Sequence, residues 1–300
     1  MTLPHLHLLG TDRMPGESPS LSDAAQKLIA DIESRMDKED IQVPLLPEVA
    51  NKAVTLSQDP ESDAIQLSQL IQSDPSLAAH VMRIANSAAY TPSASLVSLQ
   101  QAITRLGMNL ICDIAVAASV STKMFNTPGH ESHIEYIWQH ALATALWSKE
   151  IARSCRLNVE ATFLCGLLHS IGRPVLIQTA LDSCSRLQLT ISSDELYAIE
   201  DYLHMEVGSC VLKKWEMPMI ICESLQYFYR YNDAPHAMEQ TAIINAAADF
   251  ATVTLKPETL SQQELLDREV LGDLNLYPDE VEALLDKQGD IISSMEAMTG

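Results

Sequence analysis

Residues 159–174 read VEATFLCGLLHSIGRP, and this stretch decides the fold class. Its nearly continuous apolar side chains predict a buried helix from Val159 to about Ile171. Gly172, with Pro174 just beyond it, is typical of a helix end. His169 lies near that end, so a titratable ring is placed beside a buried helix. Such a helix has to pack against others, and helical periodicity continues on both sides of it.

Between Glu48 and about Val253 the sequence shows only helical periodicity. The clearest internal break is Thr127-Pro128-Gly129, which predicts two helical lobes, residues 44–126 and 130–254. Residues 1–43 are predicted to be a flexible lead-in plus one helix, and residues 255–300 an acidic helical tail. The fold class is therefore predicted to be all-α. In the second lobe, helices are expected at 133–156, 159–171, 194–203, 204–215, 217–230 and 237–254.

The composition limits both the architecture and the partners. Aromatic residues make up only 5 % of the 300 residues, which argues against an all-β sandwich or barrel. The formal net charge is −21, and the last 45 residues hold 11 acidic residues against three basic ones. Such a charge repels phosphate backbones and anionic lipids, so we expect neither nucleic acid nor membrane as a partner.

Location is also suggested by the sequence. No stretch is long and apolar enough to predict a membrane span, and no signal peptide is expected at the N-terminus. The six cysteines form no CxxC pair and lie in apolar, helix-like surroundings, which is typical of reduced thiols in the cytoplasm.

Four residues of the second lobe could form a site. His140, His169 and His204 lie on separate predicted helices, and Asp249 lies in the middle of another. Imidazoles and a carboxylate that converge from different helices can bind a transition metal. The alternative is that each is a buried residue whose polar atoms are satisfied by internal hydrogen bonds, and spacing alone favours that simpler arrangement.

Several short motifs follow one another along residues 44 to 250. They are Pro44–Ala50 (PLLPEVA), Asp74–Leu77 (DPSL), Arg83–Tyr90 (RIANSAAY), Ser98-Leu99 with Ala102-Ile103 and Leu106-Gly107, Trp138 with His140, Gly166–Gly172 (GLLHSIG) and Glu200–Trp215. With these motifs the chain resembles the HDOD domain family, non-catalytic relatives of the HD-domain metal-dependent phosphohydrolases found in bacterial signalling.

The resemblance implies that the second lobe is HD-hydrolase-like and identifies the ancestral metal positions. These look like His140, His169 with Ser170, and Asp249, with His204 nearby. Catalytic relatives carry an aspartate at the position of Ser170, and a neutral hydroxyl is a poor ligand for a divalent cation. The Leu225–Tyr229 segment also lacks the histidines of relatives with more ligands. We therefore expect a degenerate site with no catalytic residue and no cofactor; the alternative is a divalent metal at partial occupancy.

Arg173, next to this motif, is the candidate ligand-binding residue. A guanidinium can hold a phosphate through two hydrogen bonds. The alternative is that Arg173 complements the partial negative charge at the end of the preceding helix.

The expected function is a cytoplasmic signal-transduction module that binds a protein or a small ligand and does not hydrolyse it. Its partners are expected to be other signalling proteins, and it could form a homo-oligomer. One alternative is a weak metal-dependent phosphohydrolase acting on a nucleotide or cyclic dinucleotide. Another is binding of a nucleotide second messenger without hydrolysis.

Overall fold

The computed structural model describes residues 21–91, 96–120, 124–157 and 162–299. The structure is 74 % helical, and the described residues contain no strand. The prediction of an all-α fold is confirmed.

The helices follow one another with short connections. They are α1 (Asp23–Asp37), α2 (Glu48–Gln58), α3 (Ala64–Gln72), α4 (Pro75–Ala85), α5 (Leu99–Leu106), α6 (Met108–Ser119), α7 (Glu131–Ser154), α8 (Thr162–Leu168), α9 (Gly172–Leu187), α10 (Ser193–Lys214), α11 (Met219–Gln226), a 3-10 helix (Phe228–Asp233), α12 (Met238–Leu255), α13 (Gln262–Leu266), α14 (Glu269–Asp273), α15 (Pro278–Leu285) and α16 (Gln288–Thr299).

The chain divides into two compact units, and both are discontinuous in sequence. Unit 1 contains the described residues of Met1–Pro44 and Phe125–Leu284, and unit 2 those of Leu45–Met124 and Leu285–Gly300. The segment after residue 254 is therefore shared: residues 255–284 belong to unit 1, and α16 belongs to unit 2.

The core of unit 1 is built on α7 and α12, which pack along each other and against α8. Both long helices are apolar on several faces, as expected for helices surrounded by protein. Trp147 of α7 and Phe250 of α12 are fully buried, with ring centroids 5.0 Å apart. Residues on the inner faces of these helices are held in a dry interior.

Gly172 begins a helix, whereas the sequence analysis had it end one. The described part of the preceding helix, α8, ends at Leu168, and Pro174 lies in the first turn of α9. Proline is tolerated there because the first turn has no intrahelical partner for its N–H. A Cβ on Gly172 would lie 1.9 Å from the His204 carbonyl oxygen and 2.6 Å from the Gly208 nitrogen. The glycine is needed because α9 and α10 meet there backbone to backbone.

Two other predicted helices differ in length. Residues 193–214 form the single helix α10, where two helices were predicted, because capping signals lie only at its ends: a Ser192–Glu195 capping box and Lys213 and Lys214 in the last turn. The helix predicted at 217–230 is shorter; α11 ends at Gln226, and a 3-10 helix follows.

Unit 2 contains α2 to α6 and α16. Asp74 caps α4, its carboxylate accepting from the backbone N–H groups of Ser76 and Leu77. Asn86 is the C-cap of α4. Its side chain donates to the Leu96 carbonyl at 2.9 Å and accepts from the Leu96 N–H. This exchange ties the backbone of Leu96 to the C-terminal end of α4.

Helix α6 begins after Gly107, whose φ of 89° suits a residue without a side chain, and ends at Ser119. Within the described ranges no single helix is long and apolar enough to cross a membrane. Among the described residues, α5 and α6 taken together have the length and composition of a membrane span, but the two helices are bent by 119° relative to each other.

Candidate functional site

The predicted metal positions lie in the interior of unit 1. His140 is in the middle of α7, His169 and Ser170 follow α8, and Asp249 is in the middle of α12. All four side chains are buried. The ring centroids of His140 and His169 are 5.9 Å apart. The packing of α7, α8 and α12 therefore brings the two imidazoles together.

His140 is hydrogen-bonded to the neighbouring helix. Its Nε2 atom lies 3.2 Å from the Ala248 carbonyl oxygen and 3.1 Å from the Thr252 hydroxyl oxygen. The Thr252 hydroxyl itself donates to the same carbonyl. Because a carbonyl oxygen only accepts, this geometry assigns the proton of the neutral ring to Nε2. The nitrogen is then a donor to α12 and not a free ligand.

His169 is held by its own helix and covered by an aromatic ring. Its Nδ1 atom donates to the Gly166 carbonyl at 2.6 Å. Phe228 of the 3-10 helix stacks on the imidazole, with centroids 5.2 Å apart and an interplanar angle of 25°. The contact removes one face of the imidazole from solvent.

His204 has a similar arrangement on α10. Its Nδ1 atom lies 3.1 Å from the carbonyl oxygens of Glu200 and Asp201. Tyr229 meets the ring edge-on, with centroids 6.1 Å apart, and Phe228 and Tyr229 also contact each other edge to face. One aromatic pair therefore covers both His169 and His204.

All three imidazoles are neutral in the folded protein. Burial lowers the pKa of His140 to about 3, helped by the neighbouring His169 and Arg173. Burial and Arg173 lower the pKa of His169 to about 4 against the opposing effect of its backbone hydrogen bond. Burial and Arg173 lower the pKa of His204 to about 3. The rings therefore carry no charge at neutral pH.

Arg173 is engaged inside the protein. One of its terminal nitrogens lies 2.8 Å from Glu200 Oε1 and 2.8 Å from Asp201 Oδ1. The other carboxylate oxygen of Glu200 is 2.7 Å from His133 Nε2. Burial opposes the charge of Arg173, but Glu200 and Asp201 outweigh it and raise the pKa above its usual value. A phosphate that bound this terminal nitrogen would compete with the carboxylates of Glu200 and Asp201. Arg173 also lies in the first turn of α9, not at the C-terminal end of a helix.

Asp249 is paired with an arginine from the C-terminal segment. Arg268 Nε lies 3.0 Å from Asp249 Oδ2, and its Nη2 atom is 3.4 Å from Oδ1. Arg268 was not predicted from the sequence, because a contact between a helix and a connection 19 residues away leaves no periodic signal. The sequence analysis also missed Phe228 and Tyr229, whose only signal was an aromatic pair where relatives carry histidines.

These residues do not fit the metal that HD-domain hydrolases hold. An ion would meet a proton-bearing nitrogen on His140, a neutral hydroxyl on Ser170 and an Asp249 carboxylate already bound by a guanidinium. Across the part of the chain that the structure describes, no group of three or more His, Cys, Asp and Glu side chains is arranged to hold a metal.

Comparison with known proteins gives the family. The sequence model of the HDOD domain matches residues 43–231. A solved structure from Shewanella amazonensis SB2B, named as a candidate metal-dependent phosphohydrolase, has a TM-score of 0.69 at 21 % identity and covers 91 % of this chain and 100 % of its own. One from Marinobacter aquaeolei VT8, named as a candidate signal transduction protein, has a TM-score of 0.66 at 22 % identity, with 94 % of this chain and 68 % of its own covered.

A relative known from sequence is an uncharacterized protein of Treponema pallidum (strain Nichols). It is 21 % identical over 241 residues, which are 77 % of this chain and 44 % of the relative. The chain thus spans less than half the length of that relative. At these identities the two solved structures show a shared fold.

Proposed function

The chain belongs to the HDOD domain family, and on that premise we propose that it is a regulatory module of signal transduction that acts by binding and not by hydrolysis. Its HD-like site is then a structural remnant. Binding of another signalling protein or a small ligand is the event that it relays.

The proposal that the chain does not hydrolyse its ligand depends on one observation. Nε2 of His140 donates to the backbone of α12, and Ser170 stands at the position of the metal-binding aspartate. Metal-assisted hydrolysis needs a cation to polarise the phosphoryl oxygen and to lower the pKa of a bound water. A donor nitrogen and a neutral hydroxyl hold a divalent cation poorly. The first requirement of the hydrolytic reaction is therefore weakened by two independent residues.

Two further observations support the regulatory part. A structural neighbour is named as a candidate signal transduction protein, and the shared fold makes a similar role reasonable for this chain. All six cysteines are free thiols, which fits a reducing compartment and supports action in the cytoplasm.

The test combines metal content with turnover. Protein purified without chelators is assayed for manganese and iron, and then for hydrolysis of bis-p-nitrophenyl phosphate and cyclic dinucleotides with added Mn²⁺. We expect less than about 0.1 metal ion per chain and no metal-dependent turnover, since a functional site loads close to unity.

The control separates the site from the rest of the surface. His236, an exposed histidine paired with Glu223, is replaced by alanine in parallel with His169. Turnover that needs added metal, disappears in His169→Ala and persists in His236→Ala would establish the hydrolase alternative and overturn the proposal.

A further inference from the structure

The segment from Lys256 to Leu284 is acidic, yet its two basic residues both point to the HD-like site. The basic residues of 256–300 are Lys256, Arg268 and Lys287. Lys287 lies outside Lys256–Leu284, so this segment has two basic residues. Lys256 Nζ lies 3.8 Å from the ring centroid of Tyr136, whose ring is 6.0 Å from that of His140. Arg268 binds Asp249. Where the segment meets the site, it presents cations.

Arg268 and Asp249 form a charged contact. Arg268 Nη2 donates to Asp249 Oδ1 at 3.4 Å, and Nε lies 3.0 Å from Oδ2, close enough for charge attraction. The side chains are 23 % and 12 % exposed, so solvent screens the pair only in part.

The surrounding segment fixes Arg268 in place. It lies between α13 and α14, both of which pack on α12. Leu265 of α13 and Val270 and Leu271 of α14 are buried. A Ser261–Glu264 capping box starts α13. The Tyr231 hydroxyl of the 3-10 helix donates to Asp273 Oδ2 of α14 at 2.7 Å. Arg268 is thus anchored on both sides by contacts that do not involve Asp249.

We propose that Arg268 is a built-in cation that occupies Asp249 and closes the HD-like site to external cations. A carboxylate buried on α12 requires a positive partner, because an uncompensated charge in an apolar setting is costly. In HD-domain hydrolases a metal ion is that partner, and here the guanidinium takes its place. Residues 256–284 therefore keep the site shut, whether or not the chain acts in signalling.

The test measures Mn²⁺ binding by titration calorimetry in a background that restores the missing carboxylate. Ser170→Asp is compared with Ser170→Asp/Arg268→Gln, and the matched control is Ser170→Asp/Arg153→Gln, since Arg153 pairs with Glu150 on the exposed end of α7. We expect removal of Arg268 to lower the Kd for Mn²⁺ at least about tenfold. The Arg153 control should leave the Kd unchanged.

Equal or undetectable Mn²⁺ binding in Ser170→Asp and Ser170→Asp/Arg268→Gln, with helical circular dichroism retained, overturns the proposal. A second measurement covers loss of folding in the double variant. Millimolar guanidinium chloride should raise the Tm of Arg268→Ala but not of wild type or Arg153→Ala, because the position that Arg153 vacates faces solvent, whereas the position that Arg268 vacates is largely shielded from it. No selective rise in Tm also counts against the proposal. Metal-dependent turnover by the wild type would overturn this proposal together with the proposed function, whereas equal Mn²⁺ binding in the two variants without such turnover overturns this proposal alone.

Discussion

The guanidinium of Arg173 lies 2.8 Å from the carboxylate of Glu200, and the two side chains are only 4 % and 1 % exposed. The same carboxylate also contacts His133. The pair therefore joins α9, α10 and α7 around one buried charge. Arg173, the ligand-binding candidate predicted from the sequence, is thus part of a buried ion pair that connects three helices.

Removing one member of this pair should be costly. In Glu200→Gln the guanidinium of Arg173 stays buried with much of its countercharge gone, and we expect a loss of about 3–5 kcal/mol in the free energy of unfolding. Urea denaturation followed by circular dichroism measures it. The matched exposed pair, Arg153 with Glu150, should contribute about 1 kcal/mol or less when Arg153 is replaced by alanine. Similar losses in the two variants would contradict the buried-framework assignment.

The close approach of α9 and α10 predicts a severe effect of Gly172→Ala. The added methyl group would have to displace the backbone of His204 and Gly208, which no side-chain rearrangement can relieve. We expect a loss above about 4 kcal/mol or failure to fold, measured by thermal unfolding. Gly289→Ala is the control, because nothing lies within 4 Å of its new methyl group. A mild effect at Gly172 would mean that the two helices lie further apart.

Acid should destabilise the fold through its buried histidines. The folded pKa values of His140, His169 and His204 are about 3, 4 and 3, all below the ordinary value of 6.5. Between these limits the unfolded chain binds more protons, so stability falls as the pH drops from about 6.5 toward 4. Each histidine contributes at most about 1.4 kcal/mol per pH unit.

The measurement is urea unfolding at several pH values, combined with NMR titration of the imidazole protons. His140→Gln should reduce the pH dependence of the free energy of unfolding by the contribution of one titrating group. Imidazole signals of these three residues that titrate near pH 6.5 in the folded protein would show that they are not desolvated.

In unit 2, the side chain of Asn86, the C-cap of α4, should contribute to the free energy of unfolding. Its amide exchanges two hydrogen bonds with the backbone of Leu96, which no hydrophobic side chain can replace. Asn86→Ala is expected to cost about 1–3 kcal/mol, measured by urea denaturation. Asn86→Asp keeps the acceptor for the Leu96 N–H but loses the donor to its carbonyl, so it should also destabilise. An Asp variant as stable as wild type would exclude the donor role.

Local signals in the sequence predicted the helices, and the family motifs identified the histidines. The caps Asp74 and Ser192 are local signals of this kind, because their backbone partners lie within three residues. His140 and His169 were placed on separate helices, which pack so that the rings meet. Periodicity and capping thus account for the all-α class and for the elements that carry the site.

The sequence analysis missed what depends on distant residues. Gly172 looked like a helix end because glycine commonly ends helices, but its reason is the backbone of α10 at Gly208, 36 residues further on. The pairing of Asp249 with Arg268 and the covering of His169 by Phe228 also arise from tertiary packing. The degenerate site predicted from Ser170 and from the lack of histidines in Leu225–Tyr229 remains a prediction that the metal assays address.

The discontinuity of both units affects the order in which they can form during translation. Unit 2 begins at Leu45 but includes α16, whose buried Ile291, Met295 and Met298 lie near the C-terminus of the chain. The ribosome synthesises all of Phe125–Leu284 before α16 emerges from the exit tunnel. Unit 2 therefore lacks its last helix until the residues of unit 1 have been synthesised. A nascent chain stalled before α16 would expose the surface that α16 later covers.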